Sequence, residues 1–284
     1  NHNFSSIDLD LQFERIPIGQ DEKKQGDVYI KTIISTIDKL ITSDNAIISI
    51  AMPGVKTEDK KGISVMANGP RIPNLIQEVI NYFGKSVKVL DIQSDADMCV
   101  WGEEYAKKGS LRSISNAYYL GGGTGIADGL KLNNKILSFD EEYDWIAKCW
   151  EFKLKNGNSL ESLISMPGII NNKNSLDEIC NNIGLFLFDR VCTINKGASP
   201  KFIVSRPISD SHPFKGILLD QIIIGQRLAE YFLSESGNIH FRQIKDIFLE
   251  YCNKEGGLVK RSYNANNIDE KIILSQLRES PIIG

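Results

Sequence analysis

One stretch constrains the fold more than any other: Asn116 to Leu137, NAYYLGGGTGIADGLKLNNKIL. Apolar runs flank a Gly-Gly-Gly-Thr-Gly turn, and Leu-Asn-Asn-Lys closes a second tight turn. The pattern predicts strand, turn, strand, turn and strand. Glycine loses more conformational entropy on folding than any other residue, so such a cluster has a steric reason or a binding reason. As a binding device, Gly-Gly-Thr-Gly between strands offers several backbone N–H groups and a hydroxyl to an anion, with no Cβ atoms in the way. As a steric device, it is a bare hairpin. It lacks the Gly-Lys-Ser/Thr ending of a Walker loop, and a strand follows it instead of the helix of a dinucleotide fingerprint.

Strands and helices alternate ahead of this hairpin. Val28 to Ile41 carries apolar residues at helical spacing until Ser-Asp-Asn-Ala breaks it. Ala46 to Gly54, AIISIAMPG, is a nearly continuous apolar run ending in Pro-Gly, as in a strand buried on both faces. Ile72 to Gly84 reads as an amphipathic helix stopped by glycine, and Ser86 to Ile92 as another strand. Ser94 to Gly109 reads as a helix with an acidic first turn and a basic end, the order the helix dipole favours. The second half is more helical. Ser175 to Ile194 opens with a capping-box pattern, Ser175 to Glu178. Gly216 to Leu233 combines a strand-like Ile-Ile-Ile-Gly with a helix, and the helix FRQIKDIFLEYC and a closing helix over 271–284 complete an α/β chain.

Composition excludes several classes. A net charge of −3 gives no basic surface for nucleic acid, and no apolar window reaches the length of a membrane span. The first residues, NHNFSSIDLDLQ, lack the regions of a signal peptide. The five cysteines (Cys99, Cys149, Cys180, Cys192, Cys252) form no Cys-x-x-Cys pair, and none of His2, His212 and His240 lies near one in sequence. Free thiols in a reducing cytoplasm are expected, without structural zinc. The 284 residues suffice for two domains.

Two further segments could carry chemistry. In DIQSDAD, Asp95 follows a buried-type strand and opens a helix, where burial raises and the helix N-terminus lowers a carboxylate pKa; the balance can suit a general base. Ser94, Asp95 and Asp97 are equally good residues for a helix start and nothing more. In VMANGPRIP, Asn68 and Arg71 could offer directional hydrogen bonds to a polyol, or simply turn the chain.

Taken in order, these features resemble the ROK family, the bacterial-type sugar kinases and sugar-responsive repressors of the actin-like ATPase superfamily. ISIAMPG matches the family's strand ending in Pro-Gly, and ANGPRIP its sugar-contacting Asn loop. VLDIQSDADMCVWGEE resembles its strand, Asn-Asp pair and helix, and YYLGGGTGIADGLKLNNKIL its phosphate turn and following strand. NGNSLESLISMPGI is similar to the Cys-Leu-Glu segment, LDQIIIGQRLAE to the strand with paired glycines beside the adenosine, and ILSQLRESPIIG to the closing helix.

The resemblance implies a two-lobed α/β protein with the actin-like ATPase, or ribonuclease H-like, fold. One lobe would span 1–115 with the closing helix 271–284, the other 116–270, with ligands in the cleft between them. It implies Mg²⁺·ATP-dependent phosphorylation of a hexose or N-acyl-hexosamine hydroxyl. Asp95 would be the general base, with Asn68, Ser94 and Glu161 orienting the sugar. Gly122, Gly123, Thr124 and Gly125 would cradle the phosphates, and Gly225 would border the adenosine. The partners implied are the sugar and ATP, with no nucleic acid or membrane, and with room for a homodimer. Departures favour the alternative, a non-catalytic sugar- or nucleotide-binding protein. The family's Asp-x-Gly-Gly-Thr hairpin has no counterpart in NHNFSSIDLDLQFERIPI, so either the chain starts late or it lacks half of the phosphate clamp. SFDEEYDWIAKCW replaces the Gly-Glu-x-Gly-His element, the zinc cysteines are missing, Ser94 replaces an Asn and Gln226 a Gly. Without zinc, the second lobe must be held together by packing. Glu141 or Glu142 could substitute for the sugar-binding Glu, and Trp145 or Trp150 could stack on a sugar, although a solvated acidic face and core packing explain them as well.

Overall fold

The computed structural model describes residues 4–43, 45–84, 87–142, 145–154, 157–171, 176–197, 202–204 and 213–284. Ser175 of the expected capping box lies outside them, as do His2, His212 and residues 143–144 of the divergent segment. The chain forms two compact units, Asn1–Asp95 and Ala96–Gly284.

In the first unit, α1 (Leu9–Phe13) and α2 (Gln20–Leu40) precede short strands β1 (Ile47–Ile48) and β2 (Ala51–Met52). A small hairpin, β3 (Val55–Lys56) and β4 (Ile63–Val65), leads into α3 (Leu75–Phe83), β5 (Lys88–Val89) and β6 (Gln93–Ser94). The apolar run predicted as one strand is thus split, with β1 parallel to β5 and β2 parallel to β6. Its inward residues Ile48, Ile50 and Met52 pack with Ile30, Ile63, Leu75, Ile76 and Val79. Gly84, at φ +69°, ends α3 where its sequence predicts.

α2 begins at Gln20, although the apolar spacing starts at Val28. The extra turns are polar, but they bury Glu22 and Gly26. Glu22 binds Arg71 in a fork: Arg71 Nε donates to Glu22 Oε1 at 2.9 Å and Nη2 to Oε2 at 2.7 Å. The Arg71 backbone N–H also reaches Glu22 Oε1, and its Nη1 reaches the Ile16 carbonyl at 2.7 Å. Arg71 is therefore a buried anchor for its loop, not a group offered to a polyol. Its hydrogen bonds hold the Glu22 carboxyl below the usual carboxylate range.

The second unit is built on one five-stranded sheet. Its strands are β7 (Ala117–Gly122), β8 (Ile126–Leu132) and β9 (Lys135–Leu137), then, beyond the small pair β10 (Phe152–Lys153) and β11 (Ile203–Val204), β12 (Gln221–Gly225) and β13 (Ile272–Leu274). Spatial order is β13-β12-β7-β8-β9. The predicted hairpins supply the antiparallel half, and the Asn133–Asn134 turn takes positive φ at both residues, as a tight type I′ connection needs. β12 then adds parallel to β7, and β13 parallel to β12. The sequence predicts a helix for the closing segment. Instead its Ile-Ile-Leu forms the edge strand, because β-branched residues fit a pleated sheet and β12 offers an unpaired edge. Only α12 (Ser280–Ile283) is helical there.

Helix α4 (Asp95–Tyr105) packs on one sheet face, and α5 (Leu160–Ile164), α6 (Met166–Asn171), α7 (Leu176–Lys196), α8 (Gln226–Leu233) and α9 (Glu235–Glu255) complete most of the remainder, with short α10 (Gly257–Ser262) and α11 (Ile268–Lys271). The sequence grouped 96–115 with the first unit. In the structure α4 lies with the second: Gly102 approaches Ser280 too closely for any side chain, and Ser275 Oγ donates to the buried Glu103. Burial raises the Glu103 pKa, although Ser275 and the Ser110 N–H oppose the shift.

The centre of this unit holds a buried charge pair. Arg190 Nη2 donates to Asp128 Oδ1 at 2.8 Å, with side-chain exposures of 0% and 4%. Tyr118 Oη donates to the same oxygen, and the Cys149 N–H donates to Oδ2 at 2.5 Å. The guanidinium lies over the rings of Phe186 at 4.7 Å and Phe152 at 4.9 Å, with Tyr118 and Phe139 slightly further away. Burial opposes its charge, but Tyr118 and Asp128 outweigh burial and keep it protonated. Trp145 is core and donates to Glu142 Oε2. Residues 138–142 and 145–153 are thus pinned by Asp128 and Arg190 through Phe139, Cys149 and Phe152.

Candidate functional site

The glycines of the β7–β8 turn divide into two groups. A side chain on Gly121 would strike the Tyr119 ring and Gln226 Oε1 at 2.8 Å, and one on Gly122 would strike Leu228 Cβ at 2.8 Å. Gly225 lies opposite Gly121 in the sheet, and a Cβ there would come within 2.1 Å of Tyr119 Oη. These three glycines have a packing reason: the Tyr119 ring presses on Gly121 and Gly225, and Leu228 on Gly122. Gly123 and Gly125 differ. Nothing lies within 4 Å of a Cβ built on Gly123, and the group facing Gly125 is the Glu161 carboxylate, with Oε1 at 2.8 Å.

Around the turn itself, the Gly123 N–H donates to the Gly125 carbonyl at 2.9 Å, and the Met166 N–H donates to the Gly123 carbonyl at 3.1 Å. Ile126 N–H donates to Glu161 Oε1 at 2.7 Å. The Thr124 and Gly125 N–H groups donate to no acceptor among the described residues, and Thr124 is exposed. Two adjacent amides and a hydroxyl, with an unobstructed approach at Gly123, are donors an anion could use. The structure therefore brings Gly122, Gly123, Thr124, Gly125 and Glu161 together. The roles of the Ile126 and Met166 amides had no signal in the sequence, because a backbone donor carries no residue-type signature.

The other predicted residues occupy separate places. Ser94 is buried at the end of β6 opposite Met52, and Asp95, half-buried, is the first residue of α4. Asp97 lies further inside and accepts from Ser138 Oγ at 2.7 Å. Asn68 is exposed and borders a cavity of about 420 Å³ within the first unit, also lined by Phe4, Ser6, Gln25 and Tyr29. Gln226, where the resemblance expects a glycine, has φ +58°, a left-handed conformation that L residues enter at a cost. Its Nε2 reaches Cys99 Sγ at 3.3 Å. All five cysteines are buried and none is in a disulfide, and no group of three metal-ligating side chains occurs among the described residues. No helix among the described residues is long and apolar enough to cross a membrane.

An antiparallel three-strand meander extended by two parallel strands, with a glycine turn closing its first hairpin, defines an α/β protein of the actin-like ATPase, ribonuclease H-like class. Solved structures agree, and within that class the fold is that of the ROK sugar kinases and the regulators related to them. The chain is similar to a protein from Cytophaga hutchinsonii assigned as a sugar kinase, with a TM-score of 0.61 and 14% identity over 90% of this chain and 84% of that one. It is similar to a ROK family glucokinase from Streptomyces griseus in complex with glucose and AMPPNP, with a TM-score of 0.54, 13% identity and coverages of 82% and 78%. It is also similar to a ROK family transcriptional regulator, a homologue of the E. coli MLC protein, with a TM-score of 0.52, 13% identity and coverages of 92% and 67%. No protein-family profile matches the chain, and no curated protein matches its sequence. At these identities the property held in common is the fold.

Proposed function

We propose that this protein is an ATP-dependent sugar kinase that phosphorylates a hydroxyl of a hexose or N-acyl-hexosamine. One observation carries the reading: the Thr124 and Gly125 amides, with no acceptor among the described residues, stand at the glycine turn of a sugar-kinase fold. ATP with Mg²⁺ supplies the phosphoryl group and neutralises its charge. The chain supplies positioning and a proton acceptor, which is most of what phosphoryl transfer requires. Gly123, Thr124 and Gly125 hold phosphate oxygens, with Gly122 and Gly225 keeping the adjoining backbone clear. Asp95 takes the proton of the attacking hydroxyl, and Asn68, Ser94 and Glu161 orient the sugar. The exposure of Asn68 leaves its amide available to a ligand.

A second reading, a sugar- or nucleotide-binding protein without turnover, is favoured by Gln226. Its strained backbone and its side chain folded over Gly121 crowd the strand end that would border adenosine. Calorimetric titration with Mg²⁺·ATP and a panel of hexoses, followed by a coupled ADP-release assay, separates the two. The kinase reading expects hexose-dependent ADP release that Asp95→Asn lowers by about 100-fold or more, the usual scale of one general base. Sugar binding without ADP release would establish the second reading, and ADP release unchanged by Asp95→Asn would remove Asp95 as the base.

A further inference from the structure

The glycine turn already holds an anion, and that anion belongs to the chain. Glu161 Oε1 accepts the Ile126 N–H at 2.7 Å and fills the space that the missing Gly125 side chain leaves. The hold is two-sided, because the same α5–α6 segment sends the Met166 N–H onto the Gly123 carbonyl. The carboxylate therefore stands beside the two amides, Thr124 and Gly125, that remain open to a ligand. A phosphate placed on those amides comes within a few ångströms of a like charge, in surroundings that are partly buried and so screen poorly.

We propose that Glu161 is the resident anion of this turn and sets its affinity for phosphate: it orders the turn before any ligand arrives, and phosphate binds tightly only when the carboxylate has left the Ile126 amide. This rests on the reading of the turn as a phosphate site, and it gives Glu161 a gating role before any contact with sugar. The same residue then couples the two ligands, since a sugar hydroxyl that draws the carboxylate away vacates the turn for phosphate. Glu161 acts here as a positioning residue.

The test is titration of metal-free inorganic tripolyphosphate, which probes the turn without the adenosine or the cation, into the wild type, Glu161→Gln, Glu161→Ala and Thr124→Asp. Thermal melts accompany each titration, and Glu161→Ala stands in if Glu161→Gln does not fold. Glu161→Gln, which removes the charge but keeps an acceptor for Ile126, is expected to tighten binding about tenfold, the scale of one like-charge contact at a partly exposed site. Glu161→Ala is expected to tighten it at least as much. Thr124→Asp, which adds a charge at the exposed tip, is expected to abolish it. Equal affinity in the wild type and both Glu161 variants would overturn the gating role and leave the phosphate turn standing. No binding in any variant, or binding indifferent to Thr124→Asp, would overturn the phosphate turn itself and the gate with it.

Discussion

Replacing Asp128 by Asn while leaving Arg190 in place should be among the most damaging single changes in the second unit. The guanidinium is 0% exposed, faces four aromatic rings, and its Nε and Nη1 have no hydrogen-bond acceptor among the described residues. Its charge is compensated by Asp128. Removing one partner of a buried pair typically costs about 3–5 kcal/mol, because the remaining charge stays desolvated. For a unit of this size each kcal/mol shifts the midpoint by about 2–4 °C, so Asp128→Asn should lower it by about 10 °C. Arg190→Met should cost a similar amount by stranding the carboxylate. The double variant Asp128→Asn/Arg190→Met removes both charges, and it should be more stable than either single variant, since Met fills much of the space among the rings. All three tryptophans lie in the second unit, so urea unfolding followed by tryptophan fluorescence reads this unit without interference from the first. Single variants that cost less than about 1 kcal/mol, or a double variant no better than the worse single, would refute the assignment of this pair as the fastening of the core.

Two further outcomes concern pH. Glu103 has its pKa raised by burial above the ordinary value near 4.5, so the native state keeps its proton longer than the unfolded state does. The stability it contributes is complete below that value and is lost as pH rises toward the native-state pKa, so Glu103→Gln should raise the melting temperature at pH 7 and flatten the rise in stability on acidification. An unchanged pH slope would count against it. Glu22 has the opposite sign: its pKa is lowered by the hydrogen bonds from Arg71, so its contribution is present above about 4.5 and is lost as pH falls below that value. Glu22→Gln should cost about 3–5 kcal/mol at pH 7 by stranding Arg71, measured by hydrogen exchange in α2 and α3; exchange that matches the wild type at pH 7 would show that the fork does not fasten α2 to the loop at Arg71.

Where structure depends on neighbours in sequence, the residues alone were enough. The Asn133–Asn134 turn, the glycine stop at Gly84, the β7–β8 hairpin and the strand-to-helix passage at Gly225 all come from backbone preferences within a few residues. Tertiary structure decided the rest. The polar start of α2 is helical because Glu22 finds Arg71 across the unit, a gain no helical spacing records. Ile272–Leu274 becomes a strand because β12 has a free edge, although the same residues suit a helix. The question posed by the glycine turn also needed three dimensions. Gly121 and Gly122 are glycines because Tyr119 and Leu228 press on them; Gly123 leaves an approach open, and Gly125 leaves room for the Glu161 carboxylate. That the chain's own Glu161 already takes the neighbouring Ile126 amide depends on a contact between residues 126 and 161, and a long-range contact between a carboxylate and a backbone N–H leaves no mark on local sequence.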